Sequence, residues 1–404
     1  MKQRPALCRR AAFLIPCNMR CILMTLTASL LALLATAGFV PAYAQELPGP
    51  VKVDVDTNED RDAKRLAEKK YVKRQPVETL DVDLYGSLRL HAINAYDVTT
   101  GSSDLKLADG ASQAGATGNW RFKQNWNVFG RLEYGFNLID TVTAKAQTDS
   151  GGNLTPRLHN LGLESEALFV KFGKSWSTYY QVAGAADRFS IFGGDAAGIY
   201  NAGTDGGATG TGRADSAFQT HLFLDFGRWT HIKPIKLNAQ YQHGEPIPHA
   251  DGFKYGSAYS LSAWFETERN IGVGLAWHNA SIDSSDRNLL APLGIDGDAQ
   301  ALALAFKAYG DDWLASLVLV NMENLETTDQ NLYFDGRGIE LFVQWEFKDR
   351  WWFIGGGNLL VPDSDQPLAG DYDIKYAVLG LRYTLDSFKH MLYLESVSYT
   401  HLTL

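Results

Sequence analysis

From Val82 onward the chain alternates apolar and polar residues with a period of two, and it does so many times in succession. Leu84, Leu88 and Leu90 share one parity, while Ser87, Arg89 and His91 share the other. Val128, Leu132, Tyr134 and Phe136 oppose Asn127, Arg131, Glu133 and Asn137. Ile339, Leu341, Val343, Trp345 and Phe347 oppose Glu340, Gln344 and Glu346. Ala377, Leu379, Leu381, Tyr383 and Leu385 oppose Arg382 and Thr384. Successive side chains of a strand point to opposite faces, so each segment has one greasy and one wet side.

The connections between these segments alternate in length. Short ones fall at 310–312, 348–350 and 386–387; long ones, rich in Gly, Asp and Ser, fall at 97–111, 281–297, 324–331 and 362–372. Short turns at one end and long loops at the other are expected of an antiparallel barrel that crosses a membrane with its apolar faces outward. A propeller would need a fixed blade period, and none is present. A sandwich does not accommodate so many consecutive hairpins of about ten residues. Of the ten Trp, Trp126, Trp176, Trp229, Trp313, Trp351 and Trp352 stand near strand ends, where a barrel places amphipathic rings at headgroup level. The expected fold is all-β.

The N-terminus is of another kind. Residues 1–20 carry Lys2, Arg4, Arg9, Arg10 and Arg20 with no acid. An apolar run from Ile22 to Val40 follows, then Pro41-Ala42-Tyr43-Ala44-Gln45. A basic start, an apolar stretch and an A-x-A site read as a secretory signal peptide over 1–44, cut after Ala44. Cys8, Cys17 and Cys21 all lie in it, so the mature chain has no Cys and needs no oxidative folding. Removing its five bases takes the formal charge from −9 to −14, which argues against a nucleic-acid partner. Residues 45–79 read as a charged linker, 80–396 as the barrel and 397–404 as an atypical tail. No later apolar run is long enough for a membrane helix.

Fifteen strands are counted, whereas single-chain bacterial barrels have an even number. The expectation is that the closing strand is missing from this chain, which ends Tyr399-Thr400-His401-Leu402-Thr403-Leu404 with no terminal aromatic.

From about Leu84 to Glu395 the sequence resembles the Gram-negative general porins. The resemblance rests on Leu84-Tyr85-Gly86, Gly115-Ala116-Thr117-Gly118, Gly130-Arg131-Leu132-Glu133-Tyr134-Gly135-Phe136, and Phe192-Gly193-Gly194-Asp195 preceded by Tyr179-Tyr180 and Asp187. It implies a sixteen-stranded trimeric barrel in the outer membrane whose third loop, here Tyr179 to Gly212, folds inward and narrows the lumen. It also implies wall bases opposed to loop acids. Arg157 matches a wall base, Glu133 a wall acid and Asp187 a loop acid; Asp195 belongs to the loop motif with Phe192, Gly193 and Gly194. Ser87 and Gln113 stand where bases are usual, and Ile191 where an acid is usual. By parity Arg89, Arg131 and Arg382 also face the lumen, and Arg213 follows the loop.

The function expected is passive diffusion of small hydrophilic solutes and ions through a water-filled homotrimer, with outer-membrane lipids around it and a preference for cations. A substrate-selective channel, for instance for sugars, is the alternative; it needs an aromatic track, for which Tyr179, Tyr180, Phe189, Phe192 and Tyr200 are the candidates. No enzyme, cofactor or metal is expected. His243 and His249 share a loop without completing a zinc spacing. Gly206-Gly207-Ala208-Thr209-Gly210-Thr211-Gly212 lacks the Lys-Ser/Thr of a phosphate loop. Glu133 and Asp187, the acids that suggest a catalytic pair, would be solvated in a wide channel.

Overall fold

The computed structural model describes residues 79–401, apart from 98–101, 124, 138–153, 166–167, 225–230, 365, 371 and 387–389. The signal peptide and all of the charged linker but Thr79 lie outside the described residues, as does Trp229.

Seventeen strand segments follow one another: β1 (Thr79–Ser87), β2 (Leu90–Asp97), β3 (Ser102–Asp109), β4 (Gln113–Lys123), β5 (Trp126–Phe136), β6 (Leu154–Glu164), β7 (Leu168–Trp176), β8 (Arg213–Leu224) and β9 (Ile235–His243). They continue as β10 (Ser257–Glu266), β11 (Ile271–Ala280), β12 (Ala299–Tyr309), β13 (Trp313–Thr327), β14 (Tyr333–Lys348), β15 (Trp351–Pro362), β16 (Ile374–Asp386) and β17 (His390–His401). β1 pairs with β4, and from β4 onward each strand pairs antiparallel with the next, giving a 15-stranded sheet. β2 and β3 pair with each other and prolong the first hairpin beyond a break, where Gly110 N–H donates to the Arg89 carbonyl at 2.8 Å. The sheet begins at β1 and ends at β17, whose neighbourhoods meet where the His91 and Tyr393 rings pack edge to face at 5.5 Å.

Two sequence expectations shift here. The long loop at 97–111 is largely strand: Leu105 and Leu107 are exposed apolar residues of one parity, and this alternation outweighs the Ser and Asp content. β17 does not stop at 396; after a bulge at Lys375/Tyr376 of β16 its ladder reaches His401, so the segment called a tail begins as strand.

The alternation sorts as expected. Leu84, Leu132, Leu161, Phe172, Leu222, Leu261, Leu275 and Leu379 are exposed on the outer face, while Glu133, Gln219, His221, Asn238, Gln240, Ser260, His278, Glu340 and Arg382 are buried on the inner one. Trp351 is exposed on the outer face, in keeping with a headgroup belt. Trp352 is buried on the inner face, and Trp176 stacks on Tyr180 at 4.0 Å inside the barrel, so neither belongs to that belt. Among the described residues no helix is long and apolar enough to cross a membrane, which leaves strands free to do so.

A loop clamped across the lumen and the charges facing it

The segment 177–212 leaves β7 and re-enters β8 at neighbouring points, with Ser177 N–H donating to the Gly212 carbonyl at 2.8 Å. Three wall glutamines hold its root. Gln240 Oε1 accepts from Thr178 N–H and from Gln219 Nε2, both at 2.9 Å, while Gln240 Nε2 donates to Gly210 and Gln242 Nε2 to Gly207. Asp205 bonds Arg213 Nε and Lys174 Nζ at 3.0 Å each, and Lys174 also reaches Asp215 at 2.6 Å. After a short helix, α1 (Tyr180–Ala183), the loop crosses to the opposite wall.

That far wall is built to receive it. The stretch of β12 that faces the loop carries small residues (Ala299, Ala301, Ala303 and Ala305), and β13 adds Val318, Val320 and Met322. Loop residues Tyr179, Val182, Ala196, Ala197 and Ile199 pack there with almost no exposure. A loop buried this way must find partners for its backbone. Glu340 Oε1 accepts from Ala196 N–H at 2.8 Å and from Asn358 Nδ2 at 3.1 Å. Glu395 accepts from three successive N–H groups, Ser190 at 2.6 Å, Ile191 at 2.9 Å and Phe192 at 3.4 Å. Tyr376 accepts from Gly193 N–H at 3.0 Å and donates to Asp195. Gly193 and Gly194 have φ of +86° and +83°, the left-handed region where a Cβ is strained, and this turn presents Gly193 N–H to Tyr376.

Opposite the loop, β1, β5 and β6 bring together one acid and two bases. Glu133, 2% exposed, accepts from Arg131 Nη2 at 2.7 Å, Arg157 Nε at 3.1 Å and Tyr85 OH at 2.8 Å. Arg131 Nε also donates to Tyr85 OH at 2.7 Å. The Tyr85 ring lies over Gly115, where a Cβ would stand 2.6 Å from the phenol carbon, which explains the glycine of the second motif. Arg157 is within electrostatic reach of Tyr200 and Arg213. Tyr200 OH donates to Asp187 Oδ2 at 2.8 Å; burial and that carboxylate push its phenol well above the usual tyrosine range, keeping it a neutral donor.

Of the expected site residues, Arg131, Glu133, Arg157 and Asp187 thus frame one passage. Arg89 points inward as parity requires, exposed, its Nε on Ser87 Oγ at 2.9 Å. Arg213 and Arg382 also face inward, but their heads are buried. Arg213 sits in the root ion pair, and Arg382 lies under the loop tip, donating to Ser190 Oγ at 3.2 Å. Asp195 is exposed yet tied to Tyr376, and Phe192 is half-buried against the wall. The aromatic track is mostly hidden: Tyr179, Tyr180 and Phe189 are buried in the loop's seat, leaving Phe192 and Tyr200 partly open. Glu340, Glu395, Tyr376 and the three glutamines were not among the expected residues.

A family model for Gram-negative porins matches residues 28–399. The chain belongs to that family. Its fold is shared with solved porins: OmpF of Salmonella typhi in complex with daunomycin (19% identity, TM-score 0.59, 76% of this chain and 87% of that one) and the anion-selective porin from Comamonas acidovorans (14%, 0.59, 79% and 88%). The outer membrane channel DcaP of Acinetobacter baumannii is similar too (16%, 0.53, 79% and 91%). No curated protein sequence matches the chain. This porin is an outer-membrane channel for passive diffusion.

Loosening the loop tip tests the clamp. Hydrogen bonds to a charged group contribute roughly 1.5–3 kcal/mol each, so Glu395→Ala is expected to weaken docking by about 3 kcal/mol or more. The open-channel current should become noisier, with Glu395→Gln intermediate because one carbonyl acceptor remains. A quiet Glu395→Ala trace at wild-type amplitude would show that the tip is held otherwise.

Proposed function

We propose a general diffusion pore whose narrowest section lies between the segment 177–212 and the Arg131–Glu133–Arg157 group. The observation that carries this reading is the double clamp, which holds the loop root to β8 and β9 and its tip to β16 and β17, across the lumen. Water and small solutes pass beside a loop fixed in this way, and its position sets the size limit. Two bases and one acid on the wall leave one net positive charge, which Asp187 on the loop opposes. Such a pair offsets in net charge and leaves a transverse field that sorts solutes by dipole. The cation preference expected from the mature charge would then come from rim acids such as Asp296, Asp335 and Asp363 rather than from the narrow section. The exposed apolar belt (Leu80, Val82 and Leu84 beside Leu132 and Leu161) suits lipid and the packing of a homotrimer, reached by export through a cleaved leader.

The test is conductance of the purified full chain in planar bilayers together with liposome swelling. Current is expected to rise linearly with salt, and swelling rates to fall smoothly with solute size. Saturating flux for one sugar with exclusion of its isomers would overturn general diffusion in favour of a selective channel.

A further inference from the structure

Below the loop, towards the short turns, the inner wall of β9–β12 carries a cluster that borders the loop's helix α1 and holds neither its root nor its tip. Trp264 of β10 faces inward and lies across two glycines of β11. A Cβ at Gly274 would stand 2.2 Å from the indole, and one at Gly272 3.0 Å from it. In register Lys236 of β9 is opposite Trp264, and Lys307 of β12 is opposite Gly272. The half-buried indole is therefore a flat platform with an ammonium group on each side. Three strand spacings of ~4.8 Å and an offset of two residues along the strands put the two lysine backbones about 16 Å apart, a span that two flexible side chains narrow to the size of a fused ring system.

The charges are unbalanced in favour of an anion. Glu266 is the neighbouring acid, and its oxygens are already engaged by Lys233, by Tyr309 OH at 2.8 Å and by Trp264 Nε1 at 3.3 Å. Lys236 Nζ donates to the neutral Gln181 Oε1 at 2.8 Å, and Lys307 Nζ lies over the Tyr309 ring at 5.0 Å. Among the described residues neither makes a salt bridge with a carboxylate, although Lys307 senses Glu266. Lys233 and Lys307 thus flank one carboxylate, and Lys236 stands across from the half-buried indole on its other side.

We infer that Trp264, Lys236 and Lys307 form a binding site for flat organic anions, which stack on the indole and present their charges to the two lysines. The inference rests on the channel reading and adds a solute class that lingers on the way through. Stacking on a fixed aromatic is expected to lengthen residence about tenfold over an aliphatic anion of equal charge, which is about 1.4 kcal/mol.

The experiment is single-channel recording in KCl with naphthalene-1,5-disulfonate, butane-1,4-disulfonate and N-methylquinolinium added in turn. The naphthalene dianion is expected to block with residence times about tenfold longer than the butane dianion, and the flat cation not to block. Trp264→Ala should erase the difference between the dianions, Trp264→Phe should restore part of it, and Lys236→Gln with Lys307→Gln should shorten both blocks. Equal residence of the two dianions, or a naphthalene block unchanged in Trp264→Ala, would overturn the inference while leaving the channel intact. A preparation carrying no current in KCl would overturn the channel reading and this site with it.

Discussion

A single methyl group placed on the wall at Gly338 is expected to unseat the loop. The Cβ of an alanine there would stand 1.6 Å from the Ala196 carbonyl oxygen and 2.7 Å from its carbon, where ordinary contact is about 3.5 Å. The obstacle is backbone, not the end of a pliable side chain. It is also fixed from behind, since Ala196 N–H is bound to Glu340 and the Ala197 carbonyl accepts from Tyr179 OH at 2.9 Å. Relief requires the loop to withdraw by roughly 2 Å, which breaks the Glu340 bond and leaves a carboxylate that is 1% exposed without that donor. Overpacking of this kind costs about 1–3 kcal/mol, and the loss of a hydrogen bond to a charged acceptor adds a similar amount. Gly338→Ala should therefore admit larger sugars in liposome swelling and raise current noise. Gly118→Ala is the control, because nothing lies within 4 Å of its added Cβ. Identical size limits for Gly338→Ala and the unaltered chain would mean that this contact does not position the loop.

The barrel was legible in the sequence because its rule is local: lipid and water impose a period of two on each strand separately. That rule placed Arg89, Arg131, Glu133 and Arg382 on the inner face. It failed where the inner face is dry. β12 and β13 turn Ala303, Ala305, Val318 and Val320 inward because a loop, not water, covers them, and alternation alone does not report a covering segment. Glu340 was legible as inward-facing, yet its role depends on an amide of Ala196, far away along the chain. Glu395 likewise serves amides of 190–192, and nothing local marks such a pairing. Arg213 and Arg382 show the complementary error: parity gave their direction correctly, but direction does not distinguish a base lining water from one buried in an ion pair or beneath the loop tip.

Charge removal on the other wall should act on selectivity rather than on size. With Arg131→Gln and Arg157→Gln together, the group around Glu133 changes from one net positive to one net negative charge, retaining the Tyr85 bond. At about 7 Å in a water-like dielectric, one unit charge shifts an ion's energy by roughly 0.6 kcal/mol. Two charges move cation and anion apart by roughly 2.4 kcal/mol, and screening at 0.1 M, with a Debye length of about 10 Å, halves this. The cation-to-anion permeability ratio should then rise about five- to tenfold, read as a shift of reversal potential in a salt gradient. The buried, less compensated Glu133 will also destabilise that wall, so the triple variant with Glu133→Gln separates charge from folding; its net change is half as large and its shift should be correspondingly smaller. Asp187→Asn removes the opposing charge on the loop and should move the potential the other way, towards anions. If the double variant and Asp187→Asn both keep the original reversal potential, ions do not pass between these groups, and the narrow section lies elsewhere in the lumen.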